Sequence, residues 1–220
     1  MDRLTSVARY GVWTDRHLAL LCGISVEAAR SLNRRAQQRG VVTALKLQHG
    51  RSCWTLTTKG RAHYPIRQQL KSNQSIWTAL GICEFFVTSR GAYRLMTPPE
   101  VTDAFETLRQ GSQLDLDQPG VQRSRLYWRK GLLSQVLVDL TLPGTWNPHR
   151  YAKRLLQKCA KLRLKSRGWC EVLDNKLYSF TVLSPTVRSE VARVAATHGI
   201  TVHCEAVPLL SLAWGVSDAA

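Results

Sequence analysis

The chain has 220 residues, of which 44% are hydrophobic, and carries 31 Lys and Arg against 15 Asp and Glu, a net charge of +16. This length holds one large domain or two small ones, and the hydrophobic fraction excludes disorder throughout the chain. Because like charges repel in a compact fold, the excess of positive charge indicates a polyanionic partner. Nucleic acid is the first candidate and an anionic membrane surface the second. The apolar runs are too short to span a bilayer and the start lacks a secretory signal, which favours the cytoplasm and no membrane partner.

The positive charge lies in two blocks. Residues 1–71 contain 13 Lys and Arg against 3 Asp and Glu, and residues 121–168 contain 12 against 1. Two separate basic blocks predict two nucleic-acid contact surfaces rather than one charged tail. The six cysteines form no C-x-x-C pair and lie in apolar contexts, which predicts reduced thiols.

The first block has the pattern of a helix-turn-helix. Gly23 suits the turn between two short helices, and Ser25 is a good N-cap for the second of them. Ala29, Leu32 and Ala36 share the apolar stripe of that second helix, so its other faces are expected to meet a DNA major groove. The DNA contacts predicted from it are Ser25, Arg30, Ser31, Arg34, Arg35 and Gln37.

Two strands, at residues 41–47 and 53–56, enclose the tight turn QHGRS. A helix followed by a basic hairpin is typical of a winged helix, which predicts a DNA-binding domain over residues 1–71. The hairpin is expected to contact the DNA backbone or minor groove. Its predicted contacts are Lys46, His49 and Arg51.

Residues 72–220 predict a second, mixed-sheet α/β domain, which makes the chain α+β overall. A capping box of Thr97 and Glu100 begins one helix, and Ser184 is expected to cap another. Strands alternate with helices in the second half of this domain, which indicates a mostly parallel sheet.

A basic helix is predicted over residues 148–166, with Asn147 as its N-cap. Tyr151, Leu155 and Cys159 form its apolar stripe, so its cations are expected to face outward and bind DNA phosphates. Those predicted contacts are Arg150, Lys153, Arg154, Lys158, Lys161 and Lys165.

The order of a winged helix, an apolar helix, the stretch VLVDLTLPGT at residues 136–145 and a basic helix resembles the replication-relaxation family of bacterial mobile elements. The resemblance implies a winged helix joined to a domain similar to the restriction-endonuclease fold, as in one class of plasmid mobilisation relaxases. It further implies recognition of an origin or operator in plasmid replication, mobilisation or transcriptional control. The implied partners are double-stranded DNA and other mobilisation or replication proteins, with a homodimer left open.

Nucleases of that fold hold a divalent metal with at least two carboxylates, usually beside a Lys. Asp139 ends a predicted strand, but position 137, where another acid is expected, is Leu137. The family's upstream Pro-Asp also has no clear counterpart. Glu171, Asp174 and Lys176 form an E-x-x-D-x-K pattern that offers alternative catalytic groups. A site built on Asp139 would use Mg²⁺ or Mn²⁺, whereas DNA binding requires no cofactor.

Three functional hypotheses follow. The leading one is a sequence-specific DNA-binding protein, and the second is a metal-dependent nickase or relaxase. The third is a module that binds RNA or ribonucleoprotein. Tyr127 and Tyr151 are alternative candidate nucleophiles, but the stripe position of Tyr151 favours core packing.

Overall fold

The computed structural model describes residues 3–47, 51–64, 72–89, 92–110, 125–164 and 167–214. Helices and two separate sheets make up the described residues, which confirms the predicted α+β class. The chain divides into two compact units, Met1–Ala92 with Leu209–Ala220, and Tyr93–Pro208. The division therefore falls after Ala92 and not after residue 71, because the apolar helix that follows the winged helix belongs to the first unit.

The first unit begins with the element order of a winged helix, as predicted. Its strands form an antiparallel sheet of order β1-β3-β2. Gly23 ends the first helix of the pair in the left-handed region, at φ 62°, which is why a glycine suits this turn. Ser25 caps the next helix by accepting a hydrogen bond of 3.1 Å from the amide of Ala28. The elements are α1 (Arg3–Ala8), β1 (Val12–Trp13), α2 (Asp15–Cys22), α3 (Val26–Gln38), β2 (Val42–Lys46) and β3 (Ser52–Leu56).

Two further helices complete the first unit, α4 (Thr58–His63) and α5 (Asn73–Thr88). Residues 79–87 of α5 are buried without interruption, so this helix is packed on all sides rather than on one stripe. Gly81 allows close packing, because a Cβ there would lie 2.5 Å from Leu210 Cδ2. Among the described residues, no helix is long and apolar enough to cross a membrane.

The second unit is built on a sheet of order β4-β5-β6-β7, in which only the first pair is antiparallel. Strand, helix, strand, helix, strand therefore gives three parallel strands, as the sequence predicts. The elements are α6 (Pro98–Gln110), β4 (Leu126–Arg129), β5 (Leu132–Val138), α7 (Pro148–Arg163), α8 (Arg167–Asp174), β6 (Tyr178–Ser184), α9 (Ser189–Ala196) and β7 (Thr201–Ala206). The likeness of this unit to the restriction-endonuclease fold stays a prediction.

One hydrophobic core fills the second unit. It joins Leu133 and Phe180 of the sheet to Phe105 of α6, Leu155 of α7 and Trp169 of α8. Burial of such side chains at roughly 25 cal/mol per Å² stabilises the helices against the sheet. This packing places the carboxyl ends of β5, β6 and β7 on one edge, with the loops that follow them.

Two local predictions for this unit have different outcomes. The capping box is present, since the amide and hydroxyl of Thr97 both donate to Glu100 Oε2, at 2.7 and 2.9 Å. Ser184 does not cap α9, because its hydroxyl donates to the carbonyl of Thr186 at 2.7 Å. Arg188 occupies the N-cap position instead and makes no side-chain capping bond there.

All six cysteines are free thiols, in line with the prediction.

Candidate nucleic-acid interface

Helix α3 presents an exposed polar surface. Its buried side chains are Ala29, Asn33 and Ala36, whereas Leu32 of the predicted stripe is only partly buried. Every predicted contact from this helix is exposed, namely Ser25, Arg30, Ser31, Arg34, Arg35 and Gln37. Arg34 and Arg35 make no side-chain hydrogen bond or ion pair within the described part of the chain, so both cations are available to an external anion.

Arg30 differs from these two arginines. Its Nε donates to Asp15 Oδ2 at 3.3 Å, and its side chain is 51% exposed. A half-exposed ion pair of this kind is worth at most about 1 kcal/mol. Arg30 therefore contacts the N-terminus of α2 and can leave it for a stronger anionic partner at little cost.

A buried polar network, which the sequence reasoning missed, holds α3 in place. Asn33 is completely buried; it donates to Asp15 Oδ1 at 2.7 Å and accepts from Trp13 Nε1 at 3.1 Å. Trp54 Nε1 also donates to Asp15 Oδ1, at 2.8 Å. One carboxylate thus joins α2, α3 and β3. The only sequence signal was an Asn at a position on the apolar side of α3.

A second polar contact joins the helix pair to α5. His17 Nε2 lies 2.6 Å from Glu84 Oε2, and Arg16 Nη1 lies 3.4 Å from Glu84 Oε1. The hydrogen bond to His17 lowers the pKa of Glu84, against the opposing effect of burial, and the charges of His17 and Arg16 act in the same direction as that bond. The ionised carboxylate therefore anchors α2 to α5.

Two of the three DNA contacts predicted on the wing lie among the described residues. Lys46 and Arg51 are exposed at the described ends of the hairpin, which is closed by a 2.7 Å hydrogen bond from the amide of Leu47 to the carbonyl of Arg51. His49 lies outside the described residues.

Helix α7 forms the second basic surface. It buries Ala152, Leu155 and Cys159, and Asn147 caps it by accepting from the amide of Arg150 at 3.0 Å. The predicted contacts that the structure describes are all exposed, namely Arg150, Lys153, Arg154, Lys158 and Lys161. Lys165 lies outside the described residues. A helix with a buried stripe and an outward cationic face matches the prediction for the residues described.

Asp139 is engaged in a buried ion pair. It is 4% exposed, lies just beyond β5, and accepts a hydrogen bond from Arg188 Nη1 through Oδ2. Its Oδ1 accepts from the amide of Thr141 at 3.0 Å. Arg188 also donates to the carbonyl of Thr141 at 2.8 Å and lies 4.8 Å from the centre of the Trp146 ring. The carboxylate thus has a cationic partner from its own chain.

Lys176 lies at the opposite end of the parallel strands from Asp139. Leu133 pairs with Tyr178 where β5 and β6 begin, and Val138 pairs with Leu183 near their ends. Five residues at about 3.3 Å each separate these ends by roughly 16 Å. Lys176 precedes β6, whereas Asp139 follows β5, so the structure does not bring these two side chains together.

Glu171 and Asp174 have surface partners of their own. They lie on α8, where Glu171 pairs with Arg167 at 3.5 Å and Asp174 with Arg163 at 2.7 Å. The described residues contain no group of three or more His, Cys, Asp or Glu side chains arranged to hold a metal. Among the described residues Asp139 pairs with Arg188, and no catalytic step through a metal follows from this arrangement.

The two candidate tyrosine nucleophiles, Tyr151 and Tyr127, both belong to the second unit. Burial, and secondarily the charge of Asp139, raises the pKa of Tyr151, which keeps its phenol neutral. Tyr127 is fully buried, with its hydroxyl 2.6 Å from Thr181 Oγ1. Tyr151 packs against the core of the second unit, in agreement with its stripe position.

A scan against protein-family models finds no match for this chain, and a search of curated proteins finds none either.

Proposed function

We propose that this protein binds double-stranded DNA in a sequence-specific manner and recognises an origin or operator of a bacterial mobile element. Helix α3 reads the major groove in this proposal, and helix α7 adds contacts to backbone phosphates. The mobile-element context rests on the resemblance of the sequence to the replication-relaxation family.

The observation that carries the proposal is the exposed face of α3. Arg34 and Arg35 have no partner within the described residues, while Asn33 on the opposite side is locked to Asp15 and Trp13. A rigid helix that offers free guanidinium groups suits bidentate recognition of guanine in the major groove. The buried network supports this role because it limits rotation of the helix about its own axis.

Helix α7 supports the proposal through charge. Its five described cationic contacts lie along an exposed face of a capped helix. Each phosphate neutralised by such a cation releases counterions, so affinity should fall steeply with salt, with a slope of about −0.9 per contact. Base readout by α3 and phosphate binding by α7 are therefore separable by experiment.

The test begins with selection of a binding site from a random duplex library by the full-length protein. Arg34→Ala is expected to weaken binding to the selected site by about 1–3 kcal/mol and to relax the preference at one base pair. Lys158→Ala should weaken all duplexes alike and reduce the salt slope by about one. Arg193→Ala, at an exposed position of α9, is the matched control for loss of an arginine.

Unchanged affinity and preference in Arg34→Ala would show that α3 is not the reading helix. A protein that selects no duplex, yet binds structured RNA at the same salt, would instead support the RNA-binding hypothesis.

A further inference from the structure

A small depression lies beside the buried pair of Asp139 and Arg188, at the N-terminal end of α7. It encloses about 280 Å³ of space, part of it open to solvent. Its lining mixes polar and apolar surface and includes two arginines one helical turn apart. The lining residues are Thr141, Thr145, Trp146, Asn147, Arg150, Tyr151 and Arg154.

Three of the lining side chains carry donors that have no acceptor among the described residues. Arg150 and Arg154 are exposed and form no side-chain hydrogen bond or ion pair with any described residue. Trp146 Nε1 is buried and also has no hydrogen-bond partner in the part of the chain that the structure describes. Indole N–H groups only donate, and buried ones normally find an acceptor. A group that offers several acceptor oxygens and negative charge would therefore suit these donors.

The Asp139–Arg188 pair holds this depression together. It fixes both backbone polar groups of Thr141, since Asp139 accepts from the amide and Arg188 donates to the carbonyl. The guanidinium of Arg188 also lies over the Trp146 ring. Because Asp139 neutralises Arg188, the charge left for a ligand comes from Arg150 and Arg154. The buried pair thus acts as a support for the depression.

We infer that the depression binds one phosphate group of the DNA backbone, which fixes the register of α7 on the duplex. A phosphate has acceptor oxygens for both guanidinium groups and for the indole N–H. This inference rests on the proposed DNA-binding function, but the same chemistry accepts a free phosphate, so the test has two arms.

The first arm requires no DNA. The full-length ¹⁵N-labelled protein is titrated with inorganic phosphate, and with sodium chloride at equal ionic strength as the control. The Trp146 indole N–H signal, assigned from its loss in Trp146→Phe, is expected to move saturably with phosphate only. The Trp169 indole, buried in the core of the same unit, serves as the internal reference. A Trp146 signal that stays in place, or moves equally with chloride, overturns the inference.

The second arm uses duplex DNA. Trp146→Phe removes one uncharged donor and keeps a ring for Arg188, so it should weaken duplex binding by roughly 10- to 150-fold, the usual effect of one hydrogen bond to a charged group. The slope of affinity against salt should not change, because no charge is lost. Trp128→Phe, at an exposed tryptophan outside the depression, is the matched control and should bind as the wild type does.

The outcomes separate the two proposals. Wild-type duplex affinity in Trp146→Phe, together with a phosphate-dependent indole shift, would overturn the DNA backbone as the source of the phosphate. If no duplex binds the wild-type protein, the DNA-binding proposal fails, and the first arm still decides whether the depression holds phosphate. A double variant, Arg150→Gln with Arg154→Gln, changes only exposed side chains and should abolish the indole response; a retained response would also overturn the inference.

Discussion

Asp139 is expected to stabilise the fold rather than to hold a metal, and Asp139→Asn tests this directly. The side chains of Asp139 and Arg188 are 3% and 6% exposed, so both charges are out of water. Removing one partner of a buried ion pair leaves the other charge uncompensated and typically costs 3–5 kcal/mol. Asparagine keeps an acceptor for the amide of Thr141, so we expect a loss of about 3 kcal/mol for Asp139→Asn and about 1 kcal/mol more for Asp139→Ala.

The matched control is Asp174→Asn, the same substitution in a surface pair. Asp174 and its partner Arg163 are 61% and 44% exposed, so the expected loss is below about 1 kcal/mol. A double replacement, Asp139→Leu with Arg188→Met, removes both charges and should recover most of the stability lost in the single variants.

Urea denaturation followed by circular dichroism measures the free energy of unfolding. Hydrogen exchange of the β6 amides reports on the second unit by itself. If Asp139→Asn is as stable as Asp174→Asn, the pair does not hold the loops as argued. If Asp139→Asn gains stability and loses a Mg²⁺-dependent nicking activity, Asp139 is a catalytic carboxylate and our reasoning is wrong.

Two other predictions concern the first unit. Asn33→Leu leaves Trp13 Nε1 buried without its acceptor, so it should cost about 2–4 kcal/mol in urea denaturation, whereas exposed Ser31→Ala on the same helix should cost less than about 0.5 kcal/mol. An equal effect of the two substitutions would count against the network. The pKa of Glu84 is lowered from 4.5, chiefly by the hydrogen bond to His17. The ionised carboxylate therefore adds to the free energy of unfolding above the unfolded pKa, and this stabilisation disappears as pH falls through the folded pKa. Glu84→Gln should therefore flatten the fall in urea midpoint below about pH 4.5, and an unchanged acid profile would contradict this.

Features that depend on neighbouring residues were predictable. Gly23 ends a helix because only a short turn and a positive φ are needed there, and Ser25 caps α3 through an amide three residues away. The capping box at Thr97 is equally local. The prediction that Ser184 caps α9 is wrong, because its hydroxyl donates to the carbonyl of Thr186, two residues away.

Features that depend on distant residues were not predictable. The catalytic set predicted from the sequence joins Asp139 with Glu171 and Asp174, because all three are acids near predicted strands. The parallel register of β5 and β6 places the end of one strand far from the start of the other. No local pattern marked Arg188 as the partner of Asp139, since 49 residues separate them.

The sequence by itself determined the α+β class, the winged-helix order, and the two amphipathic basic helices. These follow from hydrophobic period, capping residues and charge, which act over one or two helical turns. Only the tertiary structure decided which side chains are free to bind. Asp139 meets Arg188, Arg30 meets Asp15, and Asn33 meets Trp13, whereas Arg34 stays unpaired among the described residues. The reason is physical: ion pairs and hydrogen bonds form over a few ångströms, and strand register and helix packing bring distant residues within that range.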